Sequence, residues 1–298
     1  MPAPQISHTA EYMAFFRALE SVRRPSRRLI TDPYASAFLS SSLRRAVWLA
    51  RIPWLGSLVE KYADRRLPGA RTSAVARTRL IDEECTRALW DGVRQIAILG
   101  AGFDCRANRL SETSCAEFFE VDHADMLALK ASRLMHMVPA VQRNIHYAAI
   151  DFNRQSLPQV LVDAKFDQAC PALFVWEGVT NYLTEDAVDA VLRYVGGCAP
   201  GSRIVFTYVH RGVLDGSVPF EGGARIAQDV AGLGEPWTFG FDPAALPEFL
   251  RQRNLEIDYD GGAAEYRAAF YGPRSSRMRG YDFYHVAIAH VPEADCRQ

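Results

Sequence analysis

Apolar positions recur at helical spacing from Tyr12 to Leu19 and again from Leu43 to Leu58, and Asp32-Pro33 interrupts the chain between them. Residues 8–94 therefore read as helices. From residue 95 the rhythm changes. Short apolar runs predict strands near 95–100, 116–121, 143–149, 171–176 and 202–209, with helices near 106–112, 123–137, 155–163 and 184–196. Such alternation calls for parallel strands, right-handed crossovers and a sheet covered on both faces. After the fifth strand the rhythm fails. Residues 210–240 read as a glycine-bearing insertion, followed by a helix near 243–252 and strands at 254–260 and 281–290. Gly261-Gly262 and Gly272-Pro273 break up residues 261–280, so no helical crossover is expected there and the last pair of strands should be antiparallel.

Composition narrows the class. With 298 residues, 49% apolar and 23% charged, the chain can fill one large core or a core with a cap. No apolar run approaches the ~20 residues of a membrane span, and the first residues lack the order of a signal peptide. Cys85, Cys105, Cys115, Cys170, Cys198 and Cys296 form no Cys-x-x-Cys pair, which favours thiols in a reducing cytoplasm over disulfides or zinc. The net charge of −1 hides a front segment, residues 1–94, at +7 and a remainder at −8. The excess could attract an acidic small molecule. Its basic residues are interspersed with acids, so no nucleic-acid partner is expected, and Trp48 and Trp54 read as cap packing, with no membrane partner.

The candidate chemistry begins at Leu99-Gly100-Ala101-Gly102-Phe103-Asp104, where an apolar strand breaks into Gly-x-Gly and Arg106 opens a helix. Glycine lets the backbone approach a nucleotide-sized ligand, and the helix start offers free N–H groups. The second strand ends in Asp122, 22 residues after Gly100, where an acid can take two ribose hydroxyls. A dinucleotide site usually has a third glycine to admit the pyrophosphate; that position is Cys105 here. A cofactor with a carboxylate, an amine and a sulfonium suits the loop better, which points to S-adenosylmethionine. Asp151-Phe152 follows the third strand and Glu177 the fourth. Each acid alone could be a helix cap, but four strand ends in register deliver polar groups to the rim where parallel sheets bind ligands.

These residues resemble the class I S-adenosylmethionine-dependent methyltransferases of the leucine carboxyl methyltransferase type, which include bacterial polyketide carboxyl methyltransferases. The resemblance runs from about residue 10 to 290. Its marks are Asp32-Pro33-Tyr34-Ala35, Ala76-Arg77-Thr78-Arg79-Leu80-Ile81-Asp82, the glycine loop, Arg109-Leu110, Glu120-Val121-Asp122 with Lys130, and Glu177-Gly178-Val179 with Tyr182-Leu183. It implies that Arg77 holds the cofactor carboxylate by a bidentate pair, with Arg71 as an alternative. It further implies that Gly100 and Gly102 line the methionyl part, Asp122 takes the ribose, Asp151 and Phe152 meet adenine, and Glu177 faces the amine or the sulfonium. Tyr182 is a site residue or helix packing. Ala124 departs from the family, which usually has proline after the ribose acid.

The expected fold is therefore α/β: a Rossmann-like seven-stranded, mostly parallel sheet with an antiparallel last strand, a helical cap over 1–94, and a core over 95–298 with a lid at 210–240. The expected activity is O-methyl transfer, to a carboxylate on a small, acidic molecule such as a natural-product intermediate. A carboxylic acid arrives ionised and needs no base, whereas a phenol needs one. For a hydroxyl acceptor the candidate base is His210 at the end of the fifth strand, with Tyr208 beside it; capping a strand is its structural alternative. His285, inside the last strand, reads as structural. No Asp, Glu and His cluster suggests a metal. Arg17, with Arg27 and Arg28, could reach a substrate carboxylate, and Tyr208, Phe220 and Trp237 could wall the pocket. The rival classes are a nicotinamide-dependent reductase, disfavoured by the missing glycine and the lack of a Tyr-x-x-x-Lys pair, and a non-catalytic cofactor-binding subunit.

Overall fold

The computed structural model describes residues 8–111, 116–135, 137, 144–152 and 154–293; Cys115 and Cys296 lie outside them. Seven strands form one sheet: β1 Gln95–Leu99, β2 Glu117–Asp122, β3 Ile145–Ala149, β4 Ala172–Trp176, β5 Arg203–Val209, β6 Glu256–Gly261 and β7 Tyr284–His290. Their order is β3-β2-β1-β4-β5-β7-β6. The first five pair in parallel, and β7 runs antiparallel to both β5 and β6. β1 and β4 are buried along their whole length, as continuous apolar runs in the middle of a two-faced sheet should be.

Each face has its own core. On one, Leu99, Val121, Phe174, Trp176 and Phe206 pack against Leu161, Leu192 and Leu250 from the helices Leu157–Asp163, Glu185–Gly196 and Leu246–Arg251. On the other, Ile96, Ile98, Val175 and Val286 meet Ala76, Ile81 and Cys85 of the long helix Ala70–Trp90 and Tyr266 of the helix Ala263–Tyr271. A third core joins the helices His8–Ser21 and Ser41–Ala50 to Phe103 of the glycine loop, whose ring stacks on Phe38 at 4.5 Å.

Several expectations need correction. The Ala70–Trp90 helix contributes to both the cap core and the sheet core. The run 43–58 is two helices, Ser41–Ala50 and Pro53–Arg66, because Pro53 starts a new helix at its first turn. Residues 261–280 do hold a helix: Gly262 caps its start and Gly272, at φ +56°, ends it, so the glycines bracket the element rather than break it. The 210–240 insertion carries the helices Arg211–Asp215 and Gly223–Gly232. Trp48 and Trp54 do not pack into the cap; they are 62% and 66% exposed.

Candidate active site

At the carboxyl end of β1 the chain turns through Gly100 (φ +67°) and Gly102 (φ +43°), conformations that a side chain would strain. The two glycines serve different ends. A Cβ on Gly100 would sit 2.3 Å from Val179 Cγ2, so this glycine admits the loop after β4. A Cβ on Gly102 would meet nothing nearer than 3.8 Å, which leaves its face open to a ligand. Asp122, at the end of β2, accepts from Gly102 N–H and from its neighbour His123 N–H, both at 2.6 Å. Each carboxylate oxygen keeps a lone pair for a hydroxyl. β3 brings Asp151 and Phe152 alongside, since Ile150 N–H donates to the Asp122 carbonyl at 2.9 Å. Phe152 packs half-buried against the first core.

Glu177 follows β4 and lies between two guanidinium groups. Arg77 Nε donates to Oε1 at 2.8 Å and Arg106 Nη1 to Oε2 at 2.7 Å. Burial pushes this carboxyl up, but Arg106 and Arg77 together outweigh it and hold it at about 2. The buried Arg77 also reaches Met13 Sδ at 3.5 Å and lies 4.7 Å over the Tyr284 ring. Nη2 is the atom that meets Met13 Sδ, so Nη1 is the terminal nitrogen left to meet a ligand. Arg71, the alternative, is committed to Asp64 through two bonds of 2.9 and 2.8 Å.

Arg106 is the residue that the sequence reading passed over. Fully buried, it donates to Asp82 at 2.7 Å and Asp104 at 2.5 Å as well as to Glu177. Arg109 adds a two-pronged pair to Asp82 at 2.8 and 2.9 Å. Burial opposes ionisation of Asp82, yet Arg109 and Arg106 lower its carboxyl overall. The signal was present: Asp82, Asp104 and Arg109 all lie in motifs already singled out, and only their convergence was invisible.

The acceptor-side residues fare differently. Arg17 does not face a substrate: it donates to Asp32 at 2.9 Å and to the Phe103 carbonyl at 2.5 Å, clamping the first helix on the glycine loop. Tyr208 is fully buried, and its hydroxyl donates to Asp260 at 2.7 Å, so it is core rather than pocket wall or catalyst. His210 caps the helix Arg211–Asp215, its Nδ1 accepting from Gly212 N–H at 2.9 Å. Burial and then His285 lower its pKa. Trp237 and Phe220 are half-buried and pack on Phe283 at 5.7 and 5.9 Å. Tyr182 is half-buried too, its hydroxyl pushed up to about 12 by burial.

The open face at Gly102, the ribose-type acid at Asp122 and the buried cations behind Glu177 fit S-adenosylmethionine, a cofactor with a diol and a zwitterionic head. Comparison with known proteins agrees. The model of the leucine carboxyl methyltransferase family matches residues 10–196. A Streptomyces coelicolor protein named "Putative S-adenosyl-L-methionine-dependent methyltransferase" is 33% identical over 250 residues, which cover 82% of this chain and 85% of that protein. A Frankia alni protein of the same name is 35% identical over 208 residues, 70% of each chain. Among solved structures, a "putative methyltransferase" from Thermobifida fusca aligns over 98% of this chain and 99% of its own, with a TM-score of 0.60 at 18% identity, a likeness of fold. The chain belongs to the leucine carboxyl methyltransferase family, and with it to the S-adenosylmethionine-dependent methyltransferases.

Proposed function

We propose that the chain methylates a carboxylate oxygen of a small, acidic molecule to give a methyl ester. The observation that carries this reading is the state of His210. Its Nδ1 accepts the Gly212 N–H, so the neutral ring holds its proton on Nε2, and that nitrogen has no lone pair for a substrate proton. Taking up a proton would require the ring to give up its cap. An acceptor that arrives as a carboxylate makes no such demand.

S-adenosylmethionine supplies, when bound, an electrophilic methyl group on a sulfonium that leaves as a neutral thioether. The chain's own task is to bind, align and exclude water. We assign Gly100 and Gly102 to the methionyl part, Asp122 to the ribose hydroxyls, Asp151 and Phe152 to adenine, and Nη1 of Arg77 to the cofactor carboxylate. Glu177 keeps both guanidinium groups in place and turns its remaining lone pairs to the amine. A cytoplasmic setting belongs to the same proposal, supported by the buried free thiols of Cys85, Cys105 and Cys198.

The test is His210→Gln, assayed against a panel of carboxylic acids and phenols with S-adenosylmethionine. Carboxylate methylation is expected to survive with less than about a tenfold loss in kcat, and the rate of the native enzyme to show no histidine-like acid limb. A loss of roughly 10²–10⁴ with cofactor binding intact would overturn the reading. One observation favours a hydroxyl acceptor as the second reading. His285 Nδ1 lies 3.1 Å from Asp260 Oδ1, an orienting carboxylate that would leave Nε2 free as a base. A comparable loss in His285→Gln, confined to phenols, would establish that alternative.

A further inference from the structure

We infer that the hairpin formed by the helices Ser41–Ala50 and Pro53–Arg66 is a docking face for an anionic phospholipid surface. The two helices close on each other tightly on one side: Val47 and Gly56 are buried, and a Cβ on Gly56 would lie 2.7 Å from the Ala50 carbonyl oxygen. The other side carries large apolar groups with no cover. Trp48 is 62% exposed, Trp54 66%, Leu58 54% and Tyr62 65%, with Leu49 at 38% and Ile52 at 41%. Trp54, Leu58 and Tyr62 follow at intervals of four and form one stripe. Trp48 and Trp54 flank the turn, whose residues Ile52 and Pro53 are themselves exposed.

Charge selects the occupant. Arg44, Arg45, Arg51, Lys61, Arg65 and Arg66 are all exposed on this hairpin. Its two acids turn away: Asp64 pairs with Arg71 at 2.8 Å and Glu60 with Arg23 at 3.3 Å. Indoles and a phenol between arginines, with no free carboxylate, is the composition of a segment that lies in a negatively charged lipid–water interface. A second copy of the chain is a poor occupant, because a two-fold contact would set cations against cations. Contact is peripheral, since among the described residues no helix is long and apolar enough to cross a membrane. The hairpin is tied to the long helix by Asp64–Arg71, so docking would hold the whole cap against the surface.

The test is co-sedimentation of the full chain with vesicles of phosphatidylcholine alone and of equimolar phosphatidylcholine and phosphatidylglycerol, at low and high salt. Binding of S-adenosylhomocysteine reports that each variant is folded. The chain should bind the mixed vesicles, release them in high salt, ignore pure phosphatidylcholine, and show a blue shift of tryptophan emission on binding. Trp48→Ser with Trp54→Ser should weaken binding at least about tenfold. Arg65→Gln with Arg66→Gln should weaken it about fivefold per charge. No binding by a chain that still takes S-adenosylhomocysteine overturns the inference, as does binding untouched by both pairs of substitutions. A dimer abolished by the same substitutions would assign the face to self-association instead. Equal affinity for soluble polyglutamate would assign it to an acidic protein. Either result overturns the lipid reading.

Discussion

The rim over β1, β2 and β4 and the rim over β5 and β7 are built from opposite materials. Under the first, Arg77, Arg106 and Arg109 interlock with Asp82, Asp104 and Glu177 at distances of 2.5 to 2.8 Å. Over the second, Phe220, Trp237, Tyr281 and Phe283 lean on one another at ring separations of 5.3 to 5.9 Å, with a helix-capping histidine at their edge. Charged networks fix direction and permit little compromise; apolar packing tolerates changes of shape at small cost. A cofactor whose polar head is always the same suits the first material. An apolar rim of this kind would suit a ligand recognised by shape more than by charge.

The comparison breaks most visibly at Arg106. Arg106→Met leaves Asp82 with Arg109, Glu177 with Arg77, and Asp104 without its guanidinium. Removing one member of a buried ionic network costs about 3–5 kcal/mol, a large part of the 5–15 kcal/mol that holds a domain folded. Urea unfolding should show a loss of this size, and a change below about 1 kcal/mol would mean that the network is not load-sharing. The pH dependence gives the sign. Glu177 is held at about 2, below its ordinary value. Its stabilisation is therefore complete above the unfolded-state value of 4.5 and is lost as pH falls through about 2. With Arg106 gone the folded value rises, so the acid transition of the variant should begin at higher pH than in the native chain.

A second, smaller effect separates ligand from scaffold on the same rim. Asp122→Ala removes the acceptor of Gly102 N–H and His123 N–H along with the proposed ribose contact. Hydrogen bonds to a charged group are worth roughly 1.5–3 kcal/mol, so calorimetry should register a ten- to hundredfold loss of S-adenosylhomocysteine affinity. Native affinity in this variant would remove Asp122 from the cofactor site.

What the sequence disclosed, and what it hid, follows the same division between local and assembled features. The succession of strands along the chain through β5, the Gly100–Gly102 turn and the positions of Asp122, Asp151 and Glu177 after their strands were legible because periodicity and a strand's carboxyl end are short-range properties. Arg106 was not, since its partners Asp82 and Glu177 come from distant elements and meet only in the fold. Arg17 and Tyr208 were misread for the same reason: each type suits a pocket, but Asp32 and Asp260 had already claimed them. Trp48 and Trp54 were read as cap packing because helical spacing places them on a face but cannot say whether anything covers it. The helix at Ala263–Tyr271 was lost because glycines that end an element look, in sequence, like glycines that interrupt one.

The smallest expected effect tests the apolar rim. Trp237→Phe and Phe220→Leu trim half-buried side chains of the Phe283 cluster while keeping an apolar group there, and point substitutions of this kind typically cost about 1 kcal/mol. Neither residue touches the charged network, so S-adenosylhomocysteine affinity should stay within about twofold by calorimetry. If this rim shapes the acceptor site, KM for the acceptor should move while cofactor binding does not, and the ranking of acids of different size should change between the two variants. A parallel fall in cofactor affinity would show that the two rims are coupled after all. An unchanged ranking would place the acceptor elsewhere.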